Sequence, residues 1–141
     1  MMSRLGVWFM GVLAHLPLPL LRGIGALLGR VLFVLAAPRR KITLRNLELC
    51  FPEASEAQRT QWARESFIVF CQTWLDRSWL WSAPQSVVER RVKLKGAVHE
   101  LEGDVPTIIF APHFYGMDAG GLVLPLRTQR AFTSIFSTHP D

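Results

Sequence analysis

The first 37 residues are an apolar segment that contains prolines and arginines but no acid. Residues 5–21 and 23–37 are apolar except for one histidine and one arginine, and Pro17 and Pro19 interrupt the first run. Neither run reaches the roughly 20 uninterrupted apolar residues that a membrane-spanning helix needs. Because seven basic residues and no acid precede Glu48, we expect this segment to face an anionic surface.

Four structures of this segment are compatible with the sequence. Two short helices, separated at Pro17–Pro19, could lie in the headgroup layer with their arginines reaching outward. Residues 5–21 could instead form one short transmembrane helix. The segment could also be a secretory signal, although no small-x-small cleavage site follows it. Finally, both helices could be the core of a soluble domain, but the flanking cations favour membrane association.

The charge and apolar content of the chain limit the kind of partner that it can bind. The chain has 141 residues, enough for one ordinary domain, and a net charge of +5. The positive charge favours anionic partners, and the 50% apolar content favours lipid over nucleic acid. Cys50 and Cys71 are too few for a disulfide scaffold, and we interpret them as free thiols.

The middle of the chain predicts helices. Residues 38–47, PRRKITLRNL, predict a basic helix with Ile42, Leu44, Leu47 and Leu49 inward. Ser55 and Gln58 form a capping-box pattern, which predicts a long helix over residues 56–81. Mostly apolar residues recur at intervals of three and four along this helix, which predicts that they form one buried face. Its members are Ala63, Phe67, Phe70, Trp74, Arg77 and Trp81.

The last third of the chain predicts the start of an α/β sheet. Residues 89–96 alternate in polarity like a half-exposed strand, and residues 105–111 are continuously apolar like a buried strand. Helices over residues 97–102 and 115–126 and a third strand over 131–136 complete the pattern. We therefore expect an apolar membrane-associated segment (1–37), a helical region (38–84) and the incomplete first part of an α/β domain (85–141).

His113 and Asp118 are the candidate catalytic residues. Residues five apart in one helix point about 140° away from each other, so the two side chains meet only if His113 precedes the helix. Pro112 favours that arrangement. The carboxylate could then accept a hydrogen bond from one ring nitrogen and leave the other free to take a proton from an alcohol. The alternative is a histidine at a strand end and an ordinary helix N-terminal acid.

Other chemistries have weaker support in the sequence. The chain has no G-x-S-x-G elbow, and neither cysteine lies near His113 in sequence. The possible metal ligands His99, His113, Asp118 and His139 match no metal-binding spacing, so we expect no metal and no cofactor.

Two stretches resemble a known family. RRKITLRNLELCFPEASEAQR and IIFAPHFYGMDAGG are similar to segments of the bacterial lipid A late acyltransferases, the lauroyl/myristoyltransferases of lipopolysaccharide biosynthesis, in the lysophospholipid acyltransferase superfamily. The resemblance implies that His113 deprotonates a hydroxyl of a lipid A precursor and that Asp118 orients it. It also implies an acyl carrier protein thioester as donor, contact with membrane lipid, and a location on the cytoplasmic face of the bacterial inner membrane.

The chain departs from that family in length. Members are typically longer, and their later arginine and glycine motifs are absent from this sequence. We therefore expect an N-terminal fragment with little or no activity alone. Two alternatives are a glycerolipid or lysophospholipid acyltransferase and a noncatalytic membrane-bound fragment.

Overall fold

Helices dominate the described part of the chain. The structure is a computed structural model, and it describes residues 2–103, 105–128 and 131–133. The chain divides into two compact units, one ending at Ala83 and the other beginning at Pro84. The first unit contains α1 (Met2–Ala14), α2 (Leu18–Leu35), α3 (Ala37–Cys50) and α4 (Glu56–Ser82), and the second contains α5 (Gln85–Arg91), a 3-10 turn (Val98–Leu101) and α6 (Met117–Arg127).

The predicted α/β sheet is wrong for the described residues, which contain no strand. The first proposed strand begins inside α5, and residues 92–95 have no regular structure. The second, residues 105–111, is irregular and exposed, with Ile108 at 97% and Phe110 at 90% of full exposure. Of the third, residues 131–133 are irregular and 134–136 lie outside the described residues.

The strands were predicted wrongly because an apolar run indicates only that its side chains tend to be buried, and not which secondary structure they adopt. A strand exists through hydrogen bonds to a neighbouring strand, and the described residues provide no such neighbour. A short apolar run also does not identify its own secondary structure, because its periodicity is uninformative.

Pro17 and Pro19 separate α1 from α2, but they also start α2. Pro17 is the N-cap and Pro19 lies in the first turn, where a missing N–H costs nothing. The carbonyl of Pro17 accepts from the N–H groups of Leu20 and Leu21 at 3.0 and 3.1 Å. Residues 5–21 are therefore two helices, and α2 is the longer apolar one.

α2 and α4 pack against each other at unusually close range. Leu21, Gly25, Gly29 and Phe33 form a buried stripe at every fourth residue of α2. A Cβ added to Gly29 would lie 2.4 Å from the Cα of Ile68, so the two backbones nearly touch. This G-x-x-x-G spacing is the one that lets helices approach closely.

Polar contacts fix one end of this helix pair. Arg22 Nη2 lies 3.0 Å from Oδ2 of Asp76, whose side chain is 10% exposed. Trp79 Nε1 donates to Asp76 Oδ1 at 3.0 Å, and Gln72 Nε2 donates to the carbonyl oxygen of Arg22 at 3.1 Å. The buried carboxylate is thus both paired and hydrogen-bonded, which offsets the cost of removing it from water.

α3 lies against the other end of the pair. Phe33, Ala63 and Phe67 form the core there, with Leu44 and Leu47 of α3 packed on it. The prediction that all four apolar residues of α3 face inward is half wrong, since Ile42 and Leu49 are exposed. They lie outside the region that this core covers.

The predicted long helix is confirmed as α4, but its buried face differs from the predicted face. Ser55 Oγ accepts from the N–H of Gln58 at 3.2 Å, and the Ser55 N–H donates back to Gln58 Oε1 at 3.0 Å, so the capping box is formed. Ala63 and Phe67 are buried as predicted. Beyond Phe67 the buried line continues in steps of four, so the prediction fails for the aromatic residues Phe70, Trp74 and Trp81, which are exposed. The buried positions are Cys71, Leu75 and Trp79.

We predict that Gly29→Ala destabilises the first unit, because backbone atoms of Ile68 and Phe67 cannot move away from the added carbon. Overpacking of this kind costs about 1–3 kcal/mol, which thermal unfolding followed by circular dichroism in detergent would show as a lower Tm. Gly23→Ala is the matched control on α2, because nothing lies within 4 Å of its added Cβ. It should be neutral or stabilising by up to about 1 kcal/mol. Equal losses in both variants would contradict close packing at Gly29.

Candidate active site

The turn before α6 carries His113, and the first turn of α6 carries Asp118. His113 lies in an irregular segment that ends at Gly116, the N-cap of α6. Asp118 is the second residue of the helix, where a carboxylate interacts favourably with the helix dipole. This is the placement that the five-residue spacing requires if the two side chains are to meet.

Gly116 makes the turn possible. The N–H of Met117 donates to the carbonyl oxygen of Phe114 at 3.4 Å, which closes a four-residue turn. Gly116 is the third residue of that turn, with φ 84° and ψ 6°, the values of a type II turn. A side chain at this φ would be strained, so glycine is the residue that fits. The Gly116 carbonyl then accepts from the N–H of Ala119 at 2.9 Å and begins α6.

Both candidate side chains are on the surface of the second unit. His113 and Asp118 are exposed, and the neighbouring Phe114 and Tyr115 are at least half exposed. The sequence predicts that His113 lies at the end of a buried strand. In the structure it lies instead in an exposed turn. A general base in such a position would not select its alcohol by shape, so selectivity would have to come from other contacts.

The ion pairs that can be described lie elsewhere, at Arg22–Asp76 and Arg45–Glu48. The orientation of the His113 imidazole by the carboxylate of Asp118 belongs to the proposed function.

A hydrogen bond joins α6 to α5. Arg127 Nη2, at the end of α6, donates to the carbonyl oxygen of Glu89 at 2.8 Å. Each of the two helices also has one buried residue, Val88 in α5 and Val123 in α6.

A polar cavity of about 440 Å³, which the sequence did not predict, lies in the first unit between α3 and the start of α4. Arg45 Nη1 donates to Glu48 Oε2 at 2.7 Å, and this hydrogen bond lowers the pKa of Glu48. Arg59 Nη1 donates to the carbonyl oxygen of Ala54 at 2.6 Å and so holds the loop before α4. The lining residues are Lys41, Leu44, Arg45, Glu48, Glu56, Arg59 and Thr60.

Metal ligands do not cluster in the described part of the chain. No group of three or more His, Cys, Asp or Glu side chains there could hold a metal ion. His139, one of the residues considered from the sequence, lies outside the described residues.

One described helix is long and apolar enough to cross a membrane. It is α2, which lies near the N-terminus and of which 17% is buried. α1 is apolar over Arg4–Ala14 but shorter. Exposed apolar side chains cover both helices: Leu5, Val7, Trp8, Phe9 and Val12 on α1, and Leu20, Leu27, Leu28, Val31, Val34 and Leu35 on α2.

Comparison with known proteins places the chain among bacterial acyltransferases. It belongs to the family described as bacterial lipid A biosynthesis acyltransferase, whose family model matches residues 1–140. The expected family resemblance is thereby confirmed.

Curated relatives agree with the family assignment. The chain is 30% identical over 98 residues to a lipid A biosynthesis lauroyltransferase of Escherichia coli K12, covering 70% of the chain and 32% of that protein. It is 28% identical to the lipid A biosynthesis palmitoleoyltransferase of the same organism, covering 84% and 41%. A lipid A biosynthesis acyltransferase of Haemophilus influenzae is 27% identical, covering 96% and 43%.

These matches cover between 32% and 43% of the relatives' own lengths, so the chain spans less than half of each. No solved structure matches the chain.

We predict that Gly116→Ala loosens the start of α6, because alanine at this φ costs about 1–2 kcal/mol. Amide hydrogen exchange should then be about tenfold faster at Ala119, whose N–H bonds to the Gly116 carbonyl. Gly120→Ala is the matched control, since it lies inside α6 with open space around its added Cβ. Unchanged exchange in the Gly116 variant would show that the left-handed turn is not required.

Proposed function

We propose that this chain carries the proton-accepting residue of an O-acyl transfer to a lipid A precursor, with His113 as the general base and Asp118 as its orienting partner. The observation that carries the proposal is the Gly116 turn, which places an exposed imidazole just before the helix whose first turn holds the carboxylate. The relatives' names supply the reaction class, since they include a lauroyltransferase and a palmitoleoyltransferase of lipid A biosynthesis.

The proposed chemistry requires one base and one acyl donor. One ring nitrogen of His113 accepts the proton of an acceptor hydroxyl as its oxygen attacks the thioester carbonyl carbon. The C–S bond breaks, an ester forms, and the released thiolate takes the proton from the imidazolium. The carboxylate of Asp118 accepts a hydrogen bond from the other ring nitrogen, which fixes the tautomer and stabilises the positive charge. The donor is proposed to be an acyl carrier protein thioester.

The location proposed for this reaction is the cytoplasmic face of the bacterial inner membrane. The exposed apolar side chains of α1 and α2 support it, because water-exposed apolar surface of this extent marks a membrane or partner contact. The apolar length of α2 supports it as well. Membrane lipid is thus a proposed partner besides the acyl donor and the lipid A precursor.

The length of chain needed for activity is part of the proposal. Because the chain spans less than half of each compared relative, we expect residues 1–141 alone to transfer acyl groups poorly or not at all. Acyl transfer by the purified 141-residue chain at the rate of a full-length relative would contradict this expectation.

We predict that His113→Ala, made in a full-length protein that contains residues 1–141, lowers lipid A acylation in cells by about 100-fold or more, the usual contribution of a general base. Mass spectrometry of extracted lipid A measures the acylated product. His99→Ala is the matched control, an exposed histidine of the same unit, and should leave acylation unchanged. Full acylation with the His113 variant would remove this imidazole from the mechanism.

Substitutions of Asp118 distinguish a carboxylate that orients His113 from one that only stabilises the start of α6. We expect Asp118→Asn to lower acylation strongly and Asp118→Glu to keep part of it, because the longer side chain changes reach but not charge. A purely structural acid would show parallel losses of α6 stability and of activity. Equal activity of the Asn and Glu variants would contradict the orienting role.

We further predict that deleting the gene of a full-length protein that contains this chain removes one acyl-chain mass from lipid A and leaves phospholipid acyl composition unchanged. The same mass spectra, recorded for lipid A and for phospholipids, measure both. Changed phospholipids with unchanged lipid A would favour a glycerolipid acyltransferase instead, and no change in either lipid class would favour a noncatalytic role.

A further inference from the structure

Basic residues of the first unit collect at the C-terminal end of α2. α3 begins directly after α2 and carries Arg39, Arg40 and Lys41 in its first turns. Arg64 of α4 reaches the same place, since its guanidinium carbon lies 5.5 Å from the centroid of the Phe33 ring, and that of Arg40 lies 5.4 Å away. We call Arg39, Arg40, Lys41 and Arg64 the cationic end.

The members of the cationic end differ in what they contact. Arg40 Nη1 donates to the carbonyl oxygens of Phe33 and Val34 at 2.7 and 3.1 Å, so Arg40 caps α2. Arg39 and Lys41 are exposed, and neither forms an ion pair with another described residue. Their charges are therefore open to an external anion.

The two ends of α2 differ in how their basic residues are paired. At the start of α2 the carboxylate of Asp76 neutralises Arg22. At the other end, where α3 begins, Arg39 and Lys41 carry exposed charges, and exposed apolar side chains of α2 extend to that end. Those nearest to that end are Val31, Val34 and Leu35.

The combination of exposed cations and exposed apolar side chains favours one kind of partner. A nucleic acid or an acidic protein would neutralise the cations but leave the apolar faces of α1 and α2 in water. A bilayer with anionic headgroups covers both, since cations interact with the headgroups while the apolar side chains enter the acyl region.

We propose that the cationic end is a docking surface for the anionic headgroups of a lipid bilayer, with Arg39 and Lys41 as its free contacts. The inference deepens the proposed membrane location and rests on it. It does not depend on the chemistry proposed for His113.

The test uses the whole chain and two kinds of vesicle. The protein is mixed with vesicles of phosphatidylcholine, alone or with added phosphatidylglycerol, and the bound fraction is measured by flotation. Each cation near an anionic bilayer strengthens binding about fivefold, so Arg39→Gln with Lys41→Gln should weaken binding to the anionic vesicles roughly 30-fold. Binding to phosphatidylcholine alone should stay unchanged, and added salt should reduce the difference between wild type and variant.

The matched control removes the same charge from the second unit. Lys93→Gln with Lys95→Gln changes two exposed lysines and should leave anionic-vesicle binding within about twofold of wild type. Arg40 is kept in both proteins, because it caps α2, and circular dichroism verifies that helix content is retained.

Three outcomes would overturn the proposal. Equal losses in both double variants would show a response to net charge alone. A loss on neutral vesicles as large as on anionic ones would show damaged apolar insertion. Unchanged vesicle binding with lost binding of acyl carrier protein would assign the surface to an acidic protein. The His113→Ala protein should bind vesicles like wild type, so a failure of the proposed chemistry is distinguishable from a failure of docking.

Discussion

The first unit depends on how closely α2 and α4 approach each other. At Gly25 and Gly29 the backbone of α4 occupies the space where side chains would be. Such an approach is possible only in one register, which places Phe33 against Phe67 with ring centroids 5.5 Å apart. That edge-to-face pair and Ala63 create the surface on which Leu44 and Leu47 of α3 pack. The close approach at the two glycines thus positions the surface on which α3 packs.

The same register brings Arg22 to Asp76. A buried carboxylate is costly unless it is paired, and here it accepts from both a guanidinium and the indole of Trp79. Sliding α2 by one turn would separate the pair and put Leu21 or Phe33 where one of the two glycines now lies. At the other end Arg40 satisfies two carbonyls that no helical N–H can reach.

The sequence predicted those parts of the fold that local chemistry determines. The Ser55–Gln58 pair marked the start of α4, and Pro38 with the cations after it marked α3, because caps and prolines act on their own neighbours. The strands failed because pairing depends on a partner elsewhere. The aromatic face of α4 failed for a related reason: its burial depends on where α2 lies, and Gly25 and Gly29 were the unused signal for that.

In the candidate site, too, locally determined features were predictable and features that depend on distant packing were not. The turn before α6 was predictable from Pro112 and from the spacing of His113 and Asp118. Its exposure was not, because exposure depends on what covers residues 105–115. The mixed-charge cavity at Lys41, Arg45 and Arg59 was not predictable either, since it exists only where α3 meets the start of α4.

An exposed imidazole is a general base for any hydroxyl, so selectivity in the proposed reaction has to come from delivery. A lipid acceptor and a protein docked on the same bilayer meet in a thin layer, which raises their effective concentration without any contact at the imidazole. Headgroup contacts at Arg39 and Lys41 would also set the depth at which the first unit lies. In the proposed function the first unit would contact the bilayer, and the imidazole of His113 would accept the proton of the lipid hydroxyl.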